Sequence, residues 1–89
     1  MFQVELKKSV KKDLDGCPPG YKERIIEAAK FLREEPYPFK FYDVRKVKGL
    51  ERVYGIRIGR YRLLYEVFRE ERLILVFKLE LKSETTYRF

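Results

Sequence analysis

Two residues, Gly59 and Arg60, separate two strand-like runs, Val53–Ile58 and Tyr61–Phe68. That break leaves the chain little choice. A two-residue connection between such runs closes an antiparallel hairpin, and glycine in the first central position fits a type II′ turn. The turn fixes the register: Ile58 faces Tyr61, Arg57 faces Arg62, Ile56 faces Leu63, Gly55 faces Leu64 and Tyr54 faces Tyr65. Side chains alternate along each strand. Tyr54, Ile56, Ile58, Tyr61, Leu63 and Tyr65 therefore share one face, the candidate core. The other face sets Arg57 directly opposite Arg62, beside Gly55 with no side chain.

The remaining elements follow from period and punctuation. Phe2, Val4 and Leu6 alternate with polar residues, as in a half-buried strand. Val10 and Leu14, four apart among lysines, predict an amphipathic helix with Ser9 near its start, ended by Gly16 and Pro18-Pro19. A second helix is predicted from Pro19 to Glu35, with Tyr21, Ile25, Ala28, Ala29 and Leu32 on one stripe. Pro36 closes it, because the residue before a proline resists helical dihedrals. Val44–Lys48, stopped at Gly49, and Leu73–Leu81 complete the strands. The order predicts an α+β fold: an N-terminal strand, a two-helix hairpin, then an antiparallel four-strand meander, with both helices on one face of the sheet. Residues 1–89 form a single domain, since 89 residues allow no more.

Composition removes whole classes of function. The longest apolar run, residues 73–77, is five residues against the roughly 20 of a membrane span. No N-terminal stretch has the layout of a secretory signal. Cys17 is alone, so no internal disulfide forms and a cytoplasmic location is expected. There is no histidine, which removes the usual general base near neutral pH and the commonest metal ligand. No metal and no cofactor are expected. The absence of Asn and the single Gln, Gln3, beside abundant Lys, Arg and Glu match the composition of heat-stable proteins. The formal charge is +7, and it is uneven: residues 1–43 hold 9 basic and 8 acidic side chains, residues 44–89 hold 12 and 6. A basic half points to a polyanionic partner.

Two arginines directly opposite each other repel, which costs stability in a sheet. A bound anion would offset that cost. If Phe77 and Leu79 face the same core as Tyr65 and Leu63, then Leu64 pairs with Lys78, Arg62 with Glu80 and Arg60 with Lys82. Arg57, Arg62, Lys78 and Lys82 would then surround the single carboxylate of Glu80, more cation than one carboxylate balances. The alternative is an ordinary solvated face on which Glu80 neutralises Arg62. The same register puts an apolar strip, Leu64, Ile74 and Val76, on the non-core face. Segment 36–43, Pro-Tyr-Pro-Phe-Lys-Phe-Tyr-Asp, reads as a loop pinned to the core by Phe39 and Phe41, or else as a platform on which bases stack.

The run Val53–Val67, a strand with a basic residue before a tight turn and then a Tyr-Arg-aliphatic-aliphatic-Tyr strand, resembles the core of RelE/ParE-superfamily toxins of type II toxin–antitoxin pairs, archaeal RelE-like proteins above all. The lysine-rich first helix, the helix ending at Pro36 and Val44–Leu50 extend the resemblance over the whole chain. It implies a RelE-like fold and an mRNA interferase that cleaves ribosome-bound mRNA, with Arg57 and Arg62 at the family's basic positions on either side of the turn. Lys82 and Tyr87 are the nearest matches to a C-terminal basic residue and tyrosine. Gly55 stands where many members carry another cation. Arg45, Lys46, Lys48, Arg60 and Lys78 are the expected RNA-binding set. The resemblance also implies a RelB-like antitoxin, held in a toxin–antitoxin hetero-oligomer, and no membrane. The same pattern serves ParE-like gyrase poisons and weakened, RNA-binding homologues.

The chemistry of such a site needs no metal. The substrate's 2′-OH is the nucleophile, and arginines forking onto the phosphorane stabilise its extra charge. Arginine is too basic to accept the proton. The general base falls to Glu80, or to a lysine depressed by its neighbours such as Lys78 or Lys82, with Tyr87 able to donate a proton or stack on a base.

Overall fold

The computed structural model describes residues 1–81, and the structural statements below concern these residues. The chain runs β1 (Gln3–Leu6), α1 (Lys8–Asp15), α2 (Pro19–Phe31), β2 (Asp43–Lys46), β3 (Val53–Ile58), β4 (Tyr61–Phe68) and β5 (Leu73–Leu81). This is the expected α+β order. The five strands form one sheet in the order β1-β5-β4-β3-β2. The meander pairs antiparallel throughout, whereas β1 returns to lie parallel to β5, with Val4 beside Ile74 and Leu6 beside Val76.

The central hairpin has the register that its turn dictates, from Ile58 beside Tyr61 to Tyr54 beside Tyr65. Gly59 adopts a φ of 59°, while Arg60 is not among the residues with positive φ. That combination excludes a type I′ turn, which needs both, and leaves type II′. A second constraint bears on the same glycine. The Tyr21 ring of α2 lies over it so closely that a Cβ would fall 2.5 Å from Cε1 and 2.6 Å from the hydroxyl. Tyr21 also packs on Tyr61, with ring centroids 4.9 Å apart. The helix is thereby fitted to the hairpin corner.

Both helices cover one face. Val10 and Leu14 of α1 and Ile25, Ala28 and Ala29 of α2 are buried against Ile56, Ile58, Leu63, Tyr65, Val67, Ile74 and Val76. Tyr65 is fully buried, and its hydroxyl donates to the Pro36 carbonyl at 2.9 Å. Burial away from water holds its phenol protonated well above the ordinary tyrosine range.

Four expectations need correction. First, β5 carries a register shift between Leu64 and Tyr65: Leu64 pairs with Lys78, but Tyr65 pairs with Val76. The extra residue, Phe77, is bulged out. It leaves the core, and Ile74 and Val76 turn into it, both fully buried. The apolar strip on the outer face thus loses Ile74 and Val76 and keeps only Leu64. Second, Phe39 and Phe41 do not anchor their loop; they are 58% and 66% exposed. Pro38 is buried instead, and the Tyr65–Pro36 hydrogen bond ties the segment down. Phe41 rests edge-on against Phe31, centroids 5.0 Å apart. Third, α2 ends at Phe31 rather than Glu35. The chain tightens into turns, with Arg33 N–H bonding the Lys30 carbonyl and Glu34 N–H that of Phe31. The Arg33 carbonyl is thereby left to accept from Phe2 N–H at 2.8 Å, which docks the start of the chain. Fourth, β2 stops at Lys46, and Val47–Leu50 turns back with Gly49 at φ 87°.

The double constraint on Gly59 gives a stability prediction. Gly59→Ala must adopt a left-handed dihedral and push Tyr21 aside, at a cost of about 2–3 kcal/mol. The melting temperature should fall on the order of 10 °C, measured by thermal unfolding. A fall under about 2 °C would mean that the turn does not fix the hairpin.

Candidate functional site

The outer face of the sheet, away from the helices, is built by registers alone. Asp43 pairs with Arg57, Arg57 with Arg62, and Arg62 with Glu80. One transverse row across four strands therefore reads acid, base, base, acid. The next row reads Arg45, Gly55, Leu64, Lys78. Residues two apart on a strand share a face, so both rows look outward. Arg57 and Arg62 are neighbours there, as the turn requires.

The row is not symmetrical in its contacts. Arg62 reaches Glu80 with two donors, Nε at 3.0 Å and Nη2 at 2.7 Å, both on Oε1. The ammonium of Lys78 lies 3.6 Å from the other oxygen, Oε2. The Arg62 hydrogen bonds, aided by its charge and by Lys78, hold the Glu80 carboxyl below the usual glutamate range, against a partial burial that opposes this. Asp43 turns to Arg45, 3.5 Å away. Among the described residues no ion pair engages Arg57, whose side chain is exposed.

Gly55 explains how Arg62 lies. A Cβ on Gly55 would stand 3.3 Å from both Cγ and Cδ of Arg62 and 3.0 Å from Cδ2 of Leu64. The space that a side chain would need is filled by the arginine stem and the leucine. Leu64 is 8% exposed despite facing outward. Where many relatives were expected to carry a further cation, this chain has used the volume to seat Arg62.

The remaining expected residues divide. Arg45 and Lys78 are on the outer face with the arginine pair. Lys46 is not: it shares the parity of Tyr54 and sits over that ring at 5.9 Å, its ammonium bonding the Leu50 carbonyl. Lys48 and Arg60 are exposed in turns at opposite ends of β3. Lys82 and Tyr87 lie outside the described residues. Asp43 was missed by sequence reasoning, because the strand was begun one residue late at Val44. The pattern Asp43-Val44-Arg45 held the signal, since an inward Val44 forces Asp43 and Arg45 outward. Among the described residues no group of three or more acidic, His or Cys side chains could hold a metal ion. No helix among them is long and apolar enough to cross a membrane.

A groove of about 560 Å³ opens elsewhere, between β1 and α2. Phe2, Val4, Leu6 and Ile26 line it, with Lys30 and Arg33 at its rim.

The Arg62–Glu80 pair makes stability pH-dependent. Glu80 titrates lower when folded than when unfolded, so between the usual value of 4.5 and its folded value the unfolded chain binds more protons. The pair's contribution is present above that window and is lost as pH falls through it. In thermal unfolding from pH 7 to pH 3, wild type should lose more stability than Glu80→Gln, and their difference should shrink on acidification. A difference independent of pH would mean that the pair contributes nothing.

Comparison with known proteins places the chain by family and fold. A family profile described as the ParE toxin of type II toxin–antitoxin system, parDE, matches residues 4–84. A candidate toxin of Methanocaldococcus jannaschii, RelE1, is 34% identical over 98% of this chain and 96% of its own length. The archaeal RelE–RelB complex of Pyrococcus horikoshii contains a chain of similar fold, with a TM-score of 0.84 and 30% identity over 93% of this chain and 97% of that one. The RelB–RelE antitoxin–toxin complex of Methanococcus jannaschii gives a TM-score of 0.76 at 24% identity, covering 94% and 96% of the two chains.

Proposed function

This chain belongs to the RelE/ParE family of type II toxin–antitoxin toxins, and on that premise we propose that it is an mRNA interferase, a metal-independent endoribonuclease that cuts ribosome-bound mRNA and so stops translation in the cytoplasm. The observation that carries this reading is the adjacency of Arg57 and Arg62 on an open sheet face. Like charges held side by side by a turn are costly unless an anion bridges them. A phosphodiester is such an anion, and it gains charge as its 2′-OH attacks.

The proposed reaction is an in-line displacement. The 2′ oxygen bonds to phosphorus as the bond from phosphorus to the 5′ oxygen breaks, leaving a 2′,3′-cyclic phosphate and a free 5′-OH. Arg57 and Arg62 stabilise the phosphorane oxygens. Glu80 is the base that takes the 2′-OH proton, because it is the carboxylate beside Arg62 and is ionised at neutral pH. Lys82 or Tyr87 returns a proton to the leaving 5′ oxygen. Arg45, Lys78, Lys48 and Arg60 hold flanking phosphates, and Lys46, on the opposite face, contributes least.

A RelB-like antitoxin is the partner this reading calls for, and the solved relatives named as RelE–RelB complexes support it. The groove between β1 and α2 offers apolar walls and a basic rim, which suit an amphipathic, acidic segment. The family profile, which is that of ParE toxins, favours a second reading, a gyrase poison without nuclease action.

Primer extension on translated mRNA separates the two. Arg62→Ala should lower cleavage about 10²- to 10³-fold, and Arg57→Ala by a similar factor, the usual loss on removing one oxyanion donor. Arg62→Lys should stay impaired, because an ammonium keeps the charge and loses the planar fork. No cleavage by wild type, with inhibition of supercoiling by gyrase in its place, would establish the second reading.

A further inference from the structure

The carboxylate of Glu80 is bound much as a phosphate would be. One oxygen takes both donors of an arginine edge, Nε at 3.0 Å and Nη2 at 2.7 Å, and the other approaches the Lys78 ammonium at 3.6 Å. Glu80 is 27% and Arg62 38% exposed at the side chain. The pair is thus partly withdrawn from water yet open to an incoming chain. Neighbouring Arg57, by contrast, has no ion pair among the described residues. Gly55 completes the arrangement, since any side chain there would press on the Arg62 stem.

We propose that Glu80 occupies the phosphate site of the free protein, and that an RNA phosphodiester enters by taking its place on the fork of Arg62. The inference rests on the reading of Arg62 as a phosphate-binding residue and deepens it. Arg57 receives the incoming phosphate first, because no carboxylate among the described residues must leave it. The phosphate then exchanges for the Glu80 carboxylate, anion for anion, so the site never holds two bare guanidinium groups side by side. Exchange also changes Glu80 itself. It loses the hydrogen bonds that favour its charged form and gains an anionic neighbour, and both changes raise its proton affinity. A weak base in the free protein becomes a competent one only beside its substrate. Glu80 therefore stands in for the phosphate in the free protein before it acts as the base.

The test uses binding alone, to a 2′-O-methyl oligoribonucleotide that no 2′-OH mechanism can cut. Glu80→Gln should bind it about 2- to 5-fold more tightly than wild type, the range of one part-exposed ion pair. Glu80→Ala should show the same gain. On an Arg62→Ala background the gain should vanish, because no fork remains to be freed. Glu66→Gln, which removes a carboxylate paired to Arg52 at 3.4 Å on the same face, should change affinity by less than about 2-fold and report the effect of charge alone. A gain from Glu80→Gln that matches Glu66→Gln, or that persists without Arg62, would overturn the displacement. Failure of wild type and of every variant to bind the oligonucleotide at low salt would instead overturn the ribonuclease reading, and the displacement with it.

Discussion

The fold hangs on the corner at Gly59. A left-handed dihedral and the Tyr21 ring lying against its Cα admit only glycine there, and the resulting two-residue turn allows one register. Because strand side chains alternate, that register decides at once which side chains enter the core and which face outward. A slip of one residue would put Arg57 and Arg62 into the helix-packed core and expose Ile56 and Leu63. Burial of Ile56, Ile58, Leu63 and Tyr65 therefore enforces the placement of the arginines as firmly as any contact the arginines make themselves.

What the turn imposes, the flanking strands temper. Asp43 from β2 and Glu80 from β5 bracket the arginine pair in a single row. Among the described residues only Glu80 closes directly on a guanidinium of that pair; Asp43 accepts from Arg45. Among the described residues the face consequently holds one arginine engaged and one without an ion pair, with Arg45 and Lys78 in the adjoining row. An asymmetric site of this kind suits a ligand that arrives at one point and settles over another.

Much of this was legible in the sequence because it depends on period and on one turn. The hairpin and the order of elements follow from residues close in the chain, and the pairing of Arg62 with Glu80 follows from Leu79 facing the core beside Leu63. The bulge at Phe77 did not, since Ile74-Leu75-Val76-Phe77 is apolar at every position and carries no alternation to mark a shift. The place of β1 beside β5 was equally silent, as it is settled by helix packing across the whole chain. The loop anchor went to Pro38 and to the Pro36 carbonyl rather than to Phe39 and Phe41, because a buried tyrosine hydroxyl, Tyr65, needed a partner. Lys46 could have been assigned from parity alone: adjacent residues on a strand cannot share a face, so Arg45 outward means Lys46 inward.

The central claim is that Arg57 and Arg62 form one anion site. The most direct measurement follows the Nε–Hε resonances of the arginine side chains, in ¹H–¹⁵N correlation spectra, while an uncleavable oligoribonucleotide is added. Arg57 and Arg62 should shift together and saturate at the same concentration, ahead of Arg24 and Arg33 on the helical side. Saturation of one without the other, or shifts confined to the helical side, would contradict the account.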